Sequence, residues 1–121
     1  MDADVARGIE LFAAGRYHAA HGAFERAWVR RGRDAPAIQG LIQVAAACVH
    51  LDRERLRPAE RLLRRAREKL CEDPSAPLRV RLDDLVASMD ACLAVIGGHG
   101  AGRVRSRIPR TAYPKMASSR P

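Results

Sequence analysis

Two stretches of the sequence carry the residues best suited to chemistry. His21 and Glu25 are four residues apart, and Trp28 follows three residues after the carboxylate. On a helix, a spacing of four places an imidazole and a carboxylate one turn apart on the same face. Such a pair can share a proton or bind a metal ion. Together with His50 it would provide two imidazoles and one carboxylate, a ligand set suited to a divalent metal such as zinc or iron.

The second stretch is the uncharged run over residues 35–51. A helix that is apolar around its whole circumference belongs in the centre of a bundle. Gln39, Gln43 and His50 are the polar exceptions in this run, and they fall within about 40° of one another on a helix. Buried polar groups need hydrogen-bond partners. We therefore expect this polar stripe to face the His21/Glu25 pair.

Three interpretations of the resulting cluster are compatible with the spacing. It could be a satisfied hydrogen-bond network that fixes the register of the helices. It could bind a metal ion, or carry out acid–base chemistry without one. Tyr17 and Trp28 are large enough to anchor a core, and the Tyr17 hydroxyl could also join the cluster. The pattern does not distinguish an enzyme from a binding protein, and it indicates no reaction.

Five helical segments must position these residues. Apolar spacing and chain breakers predict helices over 3–14, 17–31, 36–51, 56–71 and 77–96, with Ser75 as the cap of the fifth. Short connections make sequential helices antiparallel, and the alternation of small and large residues in the second helix recurs in the fourth, as in tetratricopeptide hairpins. The sequence therefore predicts an all-α fold: a small bundle of two tetratricopeptide-like helical hairpins plus a fifth helix, forming one domain over residues 1–96.

Residues 97–121 are predicted to be an irregular, basic tail rich in Gly, Pro and Arg. The chain has a formal net charge of +8, and this tail carries six cationic residues and no acid. Its composition leaves it little to bury. Its cations could contact phosphates, which predicts non-specific nucleic-acid binding at most.

Composition also limits the class of protein. The three cysteines form no CxxC pair, and the acids Asp2 and Asp4 do not suit a leader sequence, so we expect reduced thiols and a cytoplasmic protein. The uncharged run over 35–51 is too short and too polar for a membrane span. A homodimer or another protein partner is compatible with the sequence. The arginine-rich face of the fourth helix could bind an acidic partner.

Several short motifs occur in a recognisable order. They are Gly15-Arg16-Tyr17, His21-x-x-x-Glu25-x-x-Trp28, Gln39-Gly40-Leu41-Ile42-Gln43, and His50. This order resembles the prokaryotic family of unknown function numbered 309, whose members carry an HxxxExxW motif. The resemblance covers about residues 7–71. It implies a small all-helical bundle. Metal binding has been suggested for the motif of this family.

The resemblance also implies roles for individual positions. His21, Glu25 and Trp28 would be the motif positions, with Gln39, Gln43 and His50 as their neighbours. Many members have an acid directly after the motif histidine. Gly22 stands at that position here, which implies weaker metal binding.

Three functions follow from these observations. The first is a small helical protein whose buried His/Glu/Gln cluster binds a divalent metal or a small polar ligand. The alternative is a non-catalytic helical scaffold for protein–protein interaction, with the cluster as a structural hydrogen-bond network. The third is non-specific contact with nucleic acid through the tail.

Overall fold

The chain folds into five α-helices in the computed structural model, which describes residues 2–73, 78, 80–99 and 107–117. The helices are α1 (Ala3–Ala13), α2 (Tyr17–Arg30), α3 (Pro36–Asp52), α4 (Leu56–Glu72) and α5 (Leu82–Gly97). A short 3-10 turn spans Arg110–Ala112. No strand occurs in these described ranges, so the predicted all-α fold is confirmed.

Local sequence signals set the ends of the first helices. The Asp2 carboxylate caps α1 by accepting hydrogen bonds from the N–H groups of Asp4 (2.8 Å) and Val5 (3.3 Å). Gly15 follows α1 with a φ of 78°, which glycine adopts at little cost. Pro36 begins α3, where its fixed φ suits the first turn and its missing N–H is not needed. The bounds of α1 to α4 agree closely with the predicted ones.

The fifth helix begins later than its apolar spacing predicts. The expected start before Leu78 is wrong, because Leu78 is not helical and α5 begins at Leu82. Leu78 is nevertheless buried, so its spacing reflects core packing from a non-helical segment. Asp83 and Asp84 lie in the first turn of α5, where the helix dipole favours acids. The predicted cap, Ser75, lies outside the described residues.

Helix α3, which contains most of the uncharged run, is central, as predicted. It packs against both α2 and α4, while α1 packs against α2 and α5 against α4. Gly40 permits a close approach of α3 to α4, since a Cβ there would lie 2.8 Å from Leu70 Cγ and 3.2 Å from the Ala66 carbonyl oxygen. Neither α3 nor any other helix within the described ranges is long and apolar enough to span a membrane.

One sector of α3 is only half-buried. Its residues are Gln39, Ile42, Gln43, Ala46, Val49 and His50. At 100° per residue they occupy about 120° of the helix, opposite the fully buried Leu41 and Cys48. We name this half-buried sector the α3 face. It contains all three polar residues of the stripe that the sequence predicts.

Part of the predicted tail packs on the helices. The buried side chains of this part are those of Ile108, Tyr113 and Met116. The expectation that the tail has little to bury is therefore wrong for residues 107–117, because apolar side chains are spaced among its Arg and Pro residues. Arg107 and Arg110 also pair with Glu54 (3.4 Å) and Asp52 (2.6 Å). Nucleic-acid binding by the other tail cations stays a prediction.

Candidate functional site

His21 and Glu25 lie side by side on α2, as their spacing predicts. The His21 Nδ1 atom is 3.4 Å from the Glu25 Oε2 atom. The side chains are 32% and 52% exposed, so the predicted burial of this pair is wrong. The buried positions of α2 lie on the neighbouring face; they are Tyr17, Ala20, Ala23, Phe24 and Ala27. The pair therefore flanks the core and remains accessible to a ligand.

Three side-chain atoms in the described part of the chain are buried without a hydrogen-bond partner. They are Trp28 Nε1, Gln43 Oε1 and His50 Nδ1. Folded proteins pair nearly all their buried polar atoms, and leaving one unpaired costs about 1–3 kcal/mol. All three atoms belong to residues that the sequence assigns to the site. The structure therefore does not form the predicted satisfied network at these atoms.

Trp28 anchors the end of α2, as its size predicts. Its ring is half-buried and packs against the hydrophobic core. The Arg33 guanidinium lies 5.9 Å from the ring centroid, a cation–π distance. The Arg33 N–H also donates to the Trp28 carbonyl oxygen at 3.0 Å, which folds the α2–α3 turn back over the ring. The indole is thus held in place while its Nε1 atom stays unpaired.

His50 stands in a basic environment at the end of α3. Its backbone carbonyl oxygen accepts hydrogen bonds from the N–H groups of Arg53 (3.0 Å) and Arg55 (2.9 Å). Burial, and then the positive charges of Arg55, Arg53 and Arg61, lower the pKa of His50 below its usual value. The imidazole is therefore neutral at pH 7, the form that either binds a metal or exchanges hydrogen bonds with a ligand.

The structure does not assemble the predicted metal ligands into one set. No group of three or more His, Cys, Asp or Glu side chains in the described ranges could hold a metal ion. His21 and Glu25 are adjacent on α2, whereas His50 lies in the last turn of α3, next to the arginines of the α3–α4 turn. Two ligands from one helix are fewer than the three that zinc sites usually take from the protein.

The motif-bearing part of the chain matches a known family. Residues 5–62 match the model of a family described as a domain of unknown function, DUF309. We refer to residues 5–62 as the DUF309 domain. No curated protein and no solved structure matches the chain. The DUF309 domain comprises α1 to α3 and the start of α4, and it includes every residue that the sequence analysis assigned to the site.

Tyr17 belongs to a different part of the DUF309 domain from the motif. Its ring is buried at the α1–α2 turn, 4.9 Å from the Phe12 ring and 5.8 Å from the Tyr113 ring. The Arg110 guanidinium lies 5.0 Å from its centroid. Burial raises the pKa of Tyr17 to about 12, so its hydroxyl stays protonated. Tyr17 is an anchor for the tail segment.

Sequence reasoning missed the residue that holds this segment, Asp52. Its carboxylate accepts hydrogen bonds from Arg110 Nε (3.2 Å), Arg110 Nη2 (2.6 Å) and the Tyr113 hydroxyl (2.8 Å). Burial, and then this hydrogen bond, raise the pKa of Tyr113. Asp52 and Arg110 are 58 residues apart, and helical periodicity carries no information about such a contact. The segment 107–117 therefore docks onto the DUF309 domain through a residue of that domain.

Proposed function

We propose that this chain is a non-catalytic helical binding module whose α3 face receives an extended peptide segment of a partner protein. The observation that carries the proposal is the set of three buried, unpaired polar atoms on Trp28, Gln43 and His50. Each atom belongs to a half-buried side chain, so rotation of that side chain would bring the atom to a partner's backbone N–H or C=O group. Pairing there would recover the free energy that its burial costs.

The shape of the α3 face favours an extended occupant. Gln39 and His50 lie at its two ends, and eleven residues of helix separate them by about 16 Å. A metal ion or a small molecule cannot reach both ends. An extended peptide rises about 3.3 Å per residue, so about five of its residues would cover the face.

The composition of the α3 face also suits a peptide. Ile42, Ala46 and Val49 offer half-buried apolar surface between the polar positions. Mixed surfaces of this kind bury apolar side chains of a partner while polar groups fix its orientation. The His21/Glu25 pair lies on α2, which packs against α3, and it can donate and accept hydrogen bonds at the same time. This suits the alternating donors and acceptors of a backbone.

A change at Gln43 tests the proposal through two opposed readouts. Gln43→Met keeps the volume and removes the unpaired amide oxygen. We expect the free energy of unfolding to rise by about 1 kcal/mol, because a buried unpaired atom is lost. We expect the same variant to lose binding of peptides selected on the wild-type protein from a random-sequence phage library. Gln39→Met, at a position without a buried unpaired atom, serves as the matched control for stability.

The results of the peptide selection and of the stability measurement either support or contradict the proposed peptide site. Enriched peptides whose binding shifts the amide NMR signals of α3, and is lost in Gln43→Met, support the proposal. A library that yields no enriched peptide, or peptides that perturb only residues away from α3, contradicts it. Loss of stability in Gln43→Met would show that its oxygen is paired in solution and would remove the observation that carries the proposal.

A divalent metal is tested separately. The His21/Glu25 pair would hold it as two adjacent ligands, and any further ligands would come from outside the pair. Elemental analysis of protein purified without chelator, with His21→Ala beside the wild type, provides the measurement. About one equivalent of zinc or iron that is lost in His21→Ala would support the metal hypothesis. Equal metal content in the two proteins would reject it.

A further inference from the structure

A cluster of like charges surrounds one end of the α3 face. We name His50, Arg53, Arg55 and Arg61 the His50 cluster. Arg53 and Arg55 belong to the α3–α4 turn, and both are hydrogen-bonded through their backbone N–H groups to the His50 carbonyl oxygen. Arg61 comes from the second turn of α4. The hydrogen bonds to the His50 carbonyl oxygen therefore fix the backbone positions of two of the three arginines relative to that of His50.

The three guanidiniums of the His50 cluster have no acid partner in the described part of the chain. The acids nearest in sequence bind other arginines. These pairs are Asp52 with Arg110, Glu54 with Arg107, and Glu60 with both Arg57 and Arg64. The cluster thus keeps three positive charges that no neighbouring carboxylate offsets. All three arginine side chains are exposed and free to meet a ligand.

The imidazole contributes a neutral hydrogen-bonding group to the cluster. Its Nδ1 atom is buried and unpaired. Burial and the adjacent arginines lower the pKa of His50, so the ring itself adds no charge at neutral pH. A ligand group that accepts hydrogen bonds and carries negative charge would complement the guanidiniums, and rotation of the half-buried ring would bring its unpaired nitrogen to the same group. A carboxylate has both properties, and it pairs with guanidinium through two parallel hydrogen bonds.

We propose that the His50 cluster recognises the acidic side chains of the peptide segment that docks on the α3 face. This inference rests on the proposed function and adds the chemistry of the partner: Asp or Glu residues at the end of the segment that lies over His50. Nucleic acid fits less well, because single strands are bound by stacking on accessible aromatic rings. The aromatic rings in the described part of the chain are buried or half-buried in the core.

The test uses a fluorescein-labelled decapeptide of alternating Glu and Ser, titrated with the full chain at low salt and followed by fluorescence anisotropy. A second decapeptide with Gln in place of Glu has the same length and no negative side chain. We expect the Glu peptide to bind and the Gln peptide to bind at least tenfold more weakly. Equal affinity for the two peptides would overturn the inference.

Substitutions in the protein show whether the His50 cluster is responsible. We expect Arg53→Gln and Arg61→Gln each to weaken Glu-peptide binding by about two- to fivefold, as for solvent-exposed ion pairs. We expect the double variant to lose about tenfold. The matched control is Arg31→Gln, which removes an exposed charge at the opposite end of α3. An equal loss in Arg31→Gln would show a general charge effect and would overturn the inference.

Two further outcomes identify the ligand class and separate this inference from the proposed function. A single-stranded deoxythymidine decamer that binds more tightly than the Glu peptide would overturn the assignment to acidic peptides. Peptides selected from the library that bind the α3 face equally in wild type and in the double arginine variant would overturn only the inference. In that case the proposed function would stand, with a partner that is not acidic at this end.

Discussion

The close approach of α3 to α4 predicts opposite effects for two glycine-to-alanine changes. Gly40→Ala places a methyl group 2.8 Å from Leu70 Cγ and 3.2 Å from the Ala66 carbonyl oxygen. Leu70 is fully buried and the oxygen is backbone, so neither can move aside cheaply. Gly22→Ala is the matched control on α2, where the methyl group meets only the end of the Arg26 side chain at 3.7 Å.

The magnitudes follow from two terms. Alanine is more favourable than glycine inside a helix by about 1 kcal/mol, and both changes gain it. Overpacking a close helix contact costs about 1–3 kcal/mol, and because backbone is involved at Gly40 we take the upper part of that range. We therefore expect Gly40→Ala to lower the free energy of unfolding by about 1–2 kcal/mol. Gly22→Ala should raise it by about 0.5–1 kcal/mol.

Urea denaturation followed by circular dichroism measures both values, with the slope of the free energy against urea as a check on two-state behaviour. In thermal melts the two variants should differ by on the order of 10 °C. A Gly40→Ala protein that is as stable as Gly22→Ala would refute the close α3–α4 contact. A loss in both variants would instead refute the assignment of free space above Gly22.

Three further predictions concern single side chains. Asp52→Asn should lower the free energy of unfolding by about 1 kcal/mol, as for a partly exposed hydrogen bond to a charged group. It should also speed hydrogen exchange at the backbone amides of residues 107–117, and unchanged exchange would contradict the docking of this segment on Asp52. The pKa of His50 is lower in the folded state, so its contribution to stability is complete above about pH 6.5 and is lost as the pH falls through the folded-state pKa. In urea denaturation at a series of pH values, His50→Gln should flatten that part of the profile of stability against pH, and an unaltered profile would contradict the lowered pKa. Burial raises the pKa of Cys48 and raises that of Cys92 to about 11, whereas Cys71 is exposed. Ellman's reagent should therefore titrate one thiol in native protein and three in denaturant, and a second thiol that reacts as fast as the first in native protein would contradict the burial.

Helical periodicity was sufficient to predict where most helices lie in the sequence, but not how they pack against one another. The bounds of α1 to α4 follow from capping residues and apolar spacing, which are local in sequence. The start of α5 was missed because Leu78 has helical spacing relative to Leu82 while lying in a non-helical segment. Spacing records that both residues are buried, and it does not record the backbone conformation between them.

The sequence predicted which residues belong to the candidate site, but not how they are arranged in space. Spacing on α2 brings His21 and Glu25 together because four residues make about one helical turn. The same spacing gives no information about how far each helix rotates against its neighbour. That rotation decides which side chains are exposed, and it left Glu25 half exposed. It depends on contacts between helices, such as Gly40 with Leu70 for α3 and α4, which only the packed structure reveals. Arg53 and Arg55 lie near His50 because they follow it closely in sequence.

The docking of residues 107–117 on Asp52 has a consequence for synthesis on the ribosome. Arg110 is 58 residues downstream of Asp52, so at about 5–20 residues per second its partner leaves the ribosome roughly 3–12 seconds later. During that interval Asp52 has no Arg110 or Tyr113 partner, and the surface that later buries Ile108 and Met116 is open. The order of synthesis thus adds the segment 107–117 after all five helices, including the α3 residue on which it docks.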